Sequence, residues 1–267
     1  MSSVRGAAVA LSTVLLLTAC GQSGAEREPA VETTPEVVAP ATPADAPVAV
    51  LVPGGGWVDA DPSGLRPLAD ALAARGIFVV VTTYRASEVG GDDESMVGDV
   101  TCAMRMAART VEETTGATAP VVSIGHSAGA HLVALAALAD GEFPASCPDP
   151  PAEVAGFVGL AGPYNVARIP DVAYPMFGVA PADDPDLWRV GNPLTHAAAH
   201  PEMPVLLLHG DADELVPVDF TTEFADALTS GGHDVQVQVI PGATHLSIFD
   251  PAISADVIAE WMLSLTP

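Results

Sequence analysis

The chain has 267 residues, of which 34 are aspartate or glutamate and 9 are arginine, and its formal net charge at pH 7 is −25. A negative charge of this size argues against a nucleic acid or an anionic lipid surface as a binding partner. It does not bear on mechanism, because an acidic surface also serves simply to keep a protein soluble.

The N-terminal residues have the pattern of an export signal. Residues 1–19 combine a positive charge at Arg5 with an apolar run over 7–17, which is shorter than the about 20 residues that a membrane-spanning helix needs. Residues 17–21 read Leu-Thr-Ala-Cys-Gly, which resembles the lipobox of bacterial lipoproteins. That resemblance implies that Cys20 carries lipid and anchors an exported protein to the extracytoplasmic face of the cell membrane. The alternative is an ordinary secretory signal with an incidental cysteine.

Residues 20–47 are rich in proline, alanine, threonine and glutamate and contain few large apolar side chains. Such a stretch buries too little surface to offset its chain entropy, so we expect a disordered acidic tether after the lipidated cysteine. Residues 48–267 remain for one globular domain. Cys102 and Cys147 form an even pair in an oxidising compartment, but sequence alone leaves their pairing open.

Strand-like and helix-like runs alternate from residue 48 to the C-terminus. The predicted strands are 48–52, 77–83, 119–124, 154–160, 203–209 and 235–240, and the predicted helices are 65–75, 96–115, 130–138, 219–230 and 252–265. The second strand is a nearly continuous run of β-branched residues, which is typical of a strand covered on both faces. The alternation predicts an α/β fold, with a mostly parallel sheet of about six strands and helices on both faces.

One segment, residues 165–200, interrupts this alternation. It carries several prolines and aromatic residues with little regular period, and it is too long for a plain connection in a compact domain. We therefore expect a lid or a substrate-facing insertion. The alternative is a covering loop without function.

The most informative motif is Gly-His-Ser-Ala-Gly at 125–129. It lies between an apolar run of strand length and an alanine- and leucine-rich run of helix length. A G-x-S-x-G motif at a strand-to-helix junction predicts a nucleophile elbow, in which Ser127 takes a strained backbone conformation and its hydroxyl is exposed above the sheet. The flanking glycines would avoid collisions with the neighbouring strand and helix.

A serine hydroxyl needs a base to become a good nucleophile. Of the seven histidines, His126 and His131 flank Ser127 but are expected to point away from it and to be structural. His245 lies on the loop after the last strand, and loops at the carboxyl ends of parallel strands meet at one crevice. The loop before it, His-Gly-Asp-Ala-Asp-Glu at 209–214, offers three carboxylates to orient the base.

The domain resembles α/β-hydrolases of the esterase/lipase and dienelactone-hydrolase-like kind. Residues 209–217 match the H-G-x-x-D-x-x-V-P pattern of that superfamily, which implies Asp213 as the acid rather than Asp211. A Ca²⁺ site built from Asp211, Asp213 and Glu214 would have too few ligands. The chain order of serine, acid and histidine is also that of α/β-hydrolases.

The run Pro-Gly-Gly-Gly-Trp at 53–57 resembles the H-G-G-G-W element of carboxylesterases. That resemblance implies an oxyanion hole made by the backbone amides of Gly55, Gly56 and Ala128. Pro53 stands where the family usually has histidine; because the implied donors are backbone amides, we expect activity to survive this difference. A phosphate-binding glycine loop is the alternative, but no Lys-Ser/Thr follows.

The family usually has two antiparallel strands before the strand that leads to this glycine run, and we expect them to be reduced or absent here. Residues 125–132 also resemble the elbow of kynurenine formamidases, which cleave an N-formyl amide.

These residues predict an exported serine hydrolase, a carboxylesterase for small or medium acyl esters, that needs no metal or organic cofactor. Trp57, Tyr164 and Trp188 are candidate pocket residues, together with Met176 and Phe177, although each could equally be core packing. An amide hydrolase and a non-catalytic binding module on the same scaffold are the rival hypotheses. The natural substrate and the oligomeric state are left open.

Overall fold

The computed structural model of the chain describes residues 35–139, 141–145 and 147–265. The predicted signal peptide, Cys20 and the first part of the predicted tether lie outside these residues. Within the described ranges, no helix has the length and apolar character needed to cross a bilayer.

The described residues form a seven-stranded sheet with the strand order β1-β3-β2-β4-β5-β6-β7. The strands are β1 (Glu36–Val38), β2 (Val48–Val52), β3 (Phe78–Val81), β4 (Val121–His126), β5 (Val154–Leu160), β6 (Val205–Gly210) and β7 (Val235–Ile240). Strands β2 to β7 pair in parallel, which confirms the six predicted parallel strands. Their carboxyl ends therefore lie along the same edge of the sheet.

The helices are α1 (Arg66–Ala73), α2 (Asp93–Thr115), α3 (Ala128–Leu138), α4 (Pro170–Phe177), α5 (Pro185–Val190), α6 (Asp219–Gly231) and α7 (Pro251–Ser264). Alternate side chains of a strand point to opposite faces of the sheet, and β2 divides its residues in this way. Val48, Val50 and Val52 belong to the core that α2, α3 and α6 cover, whereas Ala49 and Leu51 belong to the core that α1 and α7 cover. The sheet is therefore covered on both faces, as predicted.

The N-terminal boundary of the globular fold differs from the prediction. Strand β1 lies inside the predicted tether of residues 20–47, and it pairs antiparallel with β3 from Glu36 opposite Val81 to Val38 opposite Val79. Its three residues are a shortened remnant of the antiparallel strands that the family resemblance leads one to expect. The sheet pairing of a strand of only three residues, Glu-Val-Val, depends on the neighbouring strand rather than on local composition.

A disulfide joins Cys102 of α2 to Cys147 in the loop before β5, with the two Cα atoms 5.7 Å apart. The sequence left this pairing open. The bond spans 45 residues, and closing a loop of this length in the unfolded chain contributes about 4 kcal/mol of stability in the chain-entropy model. It ties α2 to the segment that leads from α3 into β5.

The predicted insertion at 165–200 is more regular than expected, because it contains α4 and α5. His131 of α3 holds it in place, since the Nε2–H of His131 donates to the carbonyl oxygen of Gly191 at 2.9 Å. The insertion therefore packs against the helix that follows the motif at 125–129. Its role as a lid stays a prediction.

Candidate active site

The motif at 125–129 has the geometry of a nucleophile elbow. Ser127 stands between β4 and α3 with φ 52° and ψ −120°, a conformation that non-glycine residues rarely adopt. A Cβ on Gly125 would overlap the backbone of Gly129, and a Cβ on Gly129 would overlap the carbonyl of Pro53. Both glycines are thus required by the close approach of strand, turn and helix.

The turn places Ser127 at the N-terminus of α3. The residue is partly exposed, whereas its neighbours His126 and Ala128 are buried. Because the first amides of a helix have no intrahelical acceptor, they point toward the same region as the serine and favour negative charge there. The hydroxyl of Ser127 is therefore the accessible polar group of the elbow.

The predicted acid and base lie in direct contact. The Nδ1–H of His245 donates to Oδ2 of Asp213 at 2.7 Å, and both side chains are buried, that of Asp213 completely. Oδ1 of Asp213 accepts from the backbone amides of Leu215 at 2.9 Å and Val216 at 2.8 Å. Burial would raise the pKa of Asp213, but the hydrogen bonds from His245 and the two amides outweigh it, so the pKa is lowered. Asp213 is therefore a carboxylate that fixes the tautomer of His245.

Asp211, the alternative acid, points elsewhere. Its Oδ1 accepts from the backbone amide of Gly242 at 2.6 Å, at the start of the loop that carries His245. The geometry thus favours Asp213, as the family resemblance implied.

His209 adds a contact that the sequence did not predict. Its Nε2 lies 2.8 Å from the carbonyl oxygen of Val216 and 3.2 Å from Oδ2 of Asp213. Burial lowers the pKa of His209, so the ring is neutral and its Nδ1 accepts from the hydroxyl of Thr221 at 2.7 Å. His209 therefore supports Asp213 from the side opposite His245.

The glycine run after β2 passes directly beside the elbow. A Cβ on Gly54 would lie 3.0 Å from the Cβ of Ser127. Gly55 and Gly56 have φ values of +125° and +61°, and the carbonyl of Gly55 closes a tight turn by accepting from the amides of Val58 and Asp59. Pro53 is thus compatible with a loop that approaches the serine.

The amides predicted to form the oxyanion hole are those of Gly55, Gly56 and Ala128. Within the part of the chain that the structure describes, no backbone carbonyl accepts a hydrogen bond from any of the three outside helix or strand pairing. Ala128 is the first residue of α3, so its amide has no acceptor within the helix either. These donors are available to a bound oxygen atom.

All five candidate pocket residues, including Met176 and Phe177, are packed in the interior. Trp57, Tyr164 and Trp188 expose 1%, 0% and 4% of their surface. The ring of Trp57 lies edge-on to that of His131, with 5.1 Å between centroids, and the ring of Tyr164 stacks on Phe224 at 4.4 Å. Core packing accounts for these contacts, and contact with a substrate stays a prediction.

Sequence reasoning also missed a contact of His126. Its ring was expected to be structural, but its Nε2–H donates to the backbone carbonyl of His245 at 2.8 Å. The alternation of side chains between the two faces of β4 could have indicated this contact. Val122 and Ile124 pack on the sheet face of α1 and α7, and Ala243 and Ile248, on either side of His245, belong to the same core. His126 shares that face.

A family model described as BD-FAE matches residues 37–228. The chain belongs to the BD-FAE family. The matched range begins inside β1 and includes Ser127 and Asp213, whereas His245 follows it. The resemblance to carboxylesterases drawn from the motifs is thereby confirmed at the level of the family.

Curated relatives of this family member include esterases from plants and bacteria. The isoprenylcysteine alpha-carbonyl methylesterase ICME of Arabidopsis thaliana is 27% identical over 222 residues, which cover 76% of this chain and 51% of the relative. Esterase LipQ of Mycobacterium tuberculosis is 28% identical over 238 residues, covering 80% of this chain and 53% of LipQ. The chain thus spans about half the length of these relatives.

Solved structures agree with the α/β-hydrolase fold. A truncated form of a carbohydrate esterase from gut microbiota matches with a TM-score of 0.73 at 17% identity, covering 86% of this chain and 89% of that one. The propionate-bound Est2 esterase of Thermogutta terrifontis matches with a TM-score of 0.70 at 22% identity, covering 87% of this chain and 89% of the esterase chain. The predicted fold class is confirmed.

Proposed function

We propose that this protein is a serine hydrolase that cleaves carboxylic esters with small or medium acyl groups. The observation that carries the proposal is the buried hydrogen bond between His245 and Asp213, on loops at the same sheet edge as the strained turn of Ser127. A nucleophile, a base and a group that orients the base are the three parts that acyl transfer to an enzyme requires.

In the first half of the reaction, the neutral Nε2 of His245 takes the hydroxyl proton of Ser127 as the serine oxygen attacks the ester carbonyl carbon. The resulting imidazolium is stabilised by the carboxylate of Asp213. His245 then gives the proton to the alkoxide as the C–O bond of the alcohol breaks, and the acyl group stays on Ser127. A water molecule, deprotonated by the same Nε2, attacks the acyl carbon; the bond to Ser127 then breaks, His245 returns the proton to the serine oxygen, and the acid leaves.

The negative charge that develops on the carbonyl oxygen needs donors that are already in place. The amides of Gly55, Gly56 and Ala128 are suited to this role, because no backbone carbonyl of the described residues accepts a hydrogen bond from them. One such donor contributes about 3 kcal/mol to stabilising a tetrahedral transition state. None of the donors is a side chain, which explains how Pro53 can replace the usual histidine.

The relatives support an ester as substrate, since ICME is named as a methylesterase and LipQ as an esterase. The Thermogutta esterase binds propionate and, in another structure, butyrate. Small acyl groups are therefore the first substrates to test on this chain.

The test compares the full chain with Ser127→Ala on p-nitrophenyl acetate and p-nitrophenyl butyrate. We expect turnover by the wild type and a loss of several orders of magnitude in the variant. Equal turnover by both proteins would remove the enzyme hypothesis. Faster cleavage of the matching anilides or N-formyl amides than of the esters would instead support the amide hydrolase.

The location of the protein is a separate proposal, supported by the signal-like residues 1–19 and by Cys20. We infer that the protein is exported and held at the membrane by lipid on Cys20. Cys20→Ala should release the protein from the membrane fraction of cells. Membrane association that is unchanged in this variant would overturn the anchor.

A further inference from the structure

His126 is the residue directly before the nucleophile, and its side chain is hydrogen-bonded to the backbone of the base. It is the last residue of β4, it exposes 6% of its surface, and it directly precedes Ser127. Its Nε2–H donates to the carbonyl oxygen of His245, 119 residues away in the chain, at 2.8 Å. The other ring nitrogen lies beside the glycine run, because a Cβ on Gly54 would be 2.9 Å from Nδ1.

Ring packing holds His126 in this orientation. Its centroid is 4.8 Å from that of His245 and 4.7 Å from that of Phe249, which it meets edge-on. Phe249 lies near the end of the segment between β7 and α7 that carries His245, so the ring of His126 contacts this segment at two points. Close packing on two sides leaves the donor little freedom to turn away from its acceptor.

Short-range hydrogen bonds hold the turn of this loop, and Ala243 and Ile248 on either side of His245 are buried in the core. Thr244 and Ser247 exchange hydrogen bonds within it, with the Thr244 amide 2.8 Å from Oγ of Ser247. Further polar ties join it to the loop after β6: Asp211 accepts from the Gly242 amide, the Ala212 amide donates to the Ala243 carbonyl, and Asp213 accepts from His245. Among the hydrogen bonds of the described residues, the bond from His126 is the one that ties the His245 backbone to the strand carrying the nucleophile.

We propose that His126 is a positioning residue, which sets the distance between the base and the nucleophile by holding the main chain of His245 to the end of β4. This inference rests on the proposed function of Ser127 and His245. Asp213 fixes the direction of the imidazole ring but belongs to another strand, so it cannot by itself set the position of the ring relative to Ser127. A displacement of about 1 Å at such a contact costs up to about 10²-fold in rate.

The electrostatics of the site agree with this role. Burial and the neighbouring His245 lower the pKa of His126 to about 4, and His209 lowers it further. The hydrogen bond to the His245 carbonyl and the charge of Asp213 act in the opposite direction but are weaker. His126 is therefore neutral at neutral pH. A neutral donor holds the carbonyl of His245 without placing a second positive charge beside the imidazolium that forms during the reaction.

The experiment uses the full chain with two substitutions at one position. His126→Phe keeps a planar ring against Phe249 and removes the donor. His126→Gln restores an amide N–H near the place of Nε2. We expect kcat on p-nitrophenyl butyrate to fall about 10- to 100-fold in His126→Phe, with KM nearly unchanged, and to recover most of this loss in His126→Gln.

Hydrogen exchange gives a readout that does not depend on activity. The amides of residues 244–250 should exchange faster in His126→Phe than in the wild type, whereas those of α7 should not, and His126→Gln should resemble the wild type. The proposal would be overturned if His126→Phe kept the kcat and the hydrogen exchange of the wild type. It would also be overturned if His126→Gln were as impaired as His126→Phe. If His126→Phe does not fold, His126→Asn replaces it, because its shorter amide cannot reach the carbonyl. If Ser127→Ala is as active as the wild type, the proposed function fails, and the exchange data alone decide the role of His126.

Discussion

The replacement of Asp213 by asparagine tests the acid with almost no change in shape. Two backbone amides, those of Leu215 and Val216, donate to Oδ1, so the single oxygen of an asparagine would stay on that side. Its NH₂ group would then face Nδ1 of His245, where Oδ2 of Asp213 now accepts at 2.7 Å. A donor at that place forces the proton of His245 onto Nε2.

In that tautomer Nε2 cannot take the proton of Ser127. A wrong tautomer at this position costs about 10⁴ in kcat, which corresponds to about 5 kcal/mol of transition-state stabilisation. The NH₂ group would also face the Nε2–H of His209, which lies 3.2 Å from the same carboxylate oxygen, and two donors facing each other repel. We therefore expect some loss of stability as well as the loss of rate.

The assay is steady-state hydrolysis of p-nitrophenyl butyrate by the full chain, with Asp211→Asn as the matched control. Asp211 lies two residues away and its carboxylate accepts from the backbone amide of Gly242 rather than from His245, so its variant should keep kcat within a few-fold of the wild type. The reasoning is refuted if Asp211→Asn loses more activity than Asp213→Asn, or if both retain nearly full turnover.

Three further predictions concern stability. Gly125→Ala should lower the free energy of unfolding by more than about 2 kcal/mol, measured by urea titration, because its methyl group would overlap the backbone of the elbow; an unchanged midpoint would contradict the geometry. Burial and Asp92 raise the pKa of Asp93 to about 6, so the folded state loses stability as pH rises through that value. Asp93→Asn should therefore be more stable than the wild type by about 1 kcal/mol at pH 7, after allowance for solvent screening, and should lose this advantage at pH 4; an equal gain at both pH values would argue against it. Removing the disulfide by Cys102→Ala with Cys147→Ala should cost about 4 kcal/mol, and no change on reduction of the wild type would show that the bond does not form.

Much of the fold followed from the sequence because its signals are local. The buried run at β3 and the apolar helix α3 fold as predicted, and so does the elbow at Ser127. Strand β1 was not predicted, since three residues in a proline-rich stretch carry too little pattern to separate a strand from a tether. Its pairing is decided by the free edge of β3.

The parts of the site that were missed depend on contacts between distant segments. The proposed roles of Ser127 and Asp213 were predicted from local motifs, and that of His245 from its place on the loop after the last strand. The bonds that His126 and His209 make to these loops have no motif of their own. They arise from the order of strands in the sheet, which the sequence indicated only in outline.

The most direct test of the account is to capture the acyl-enzyme. The full chain is mixed with p-nitrophenyl butyrate, quenched in acid within one turnover, digested and examined by mass spectrometry. We predict one butyryl group on the peptide that contains Ser127, and none in the Ser127→Ala variant. Rapid release of p-nitrophenol with the butyryl group on another residue, or with the same yield in the variant, would contradict the account.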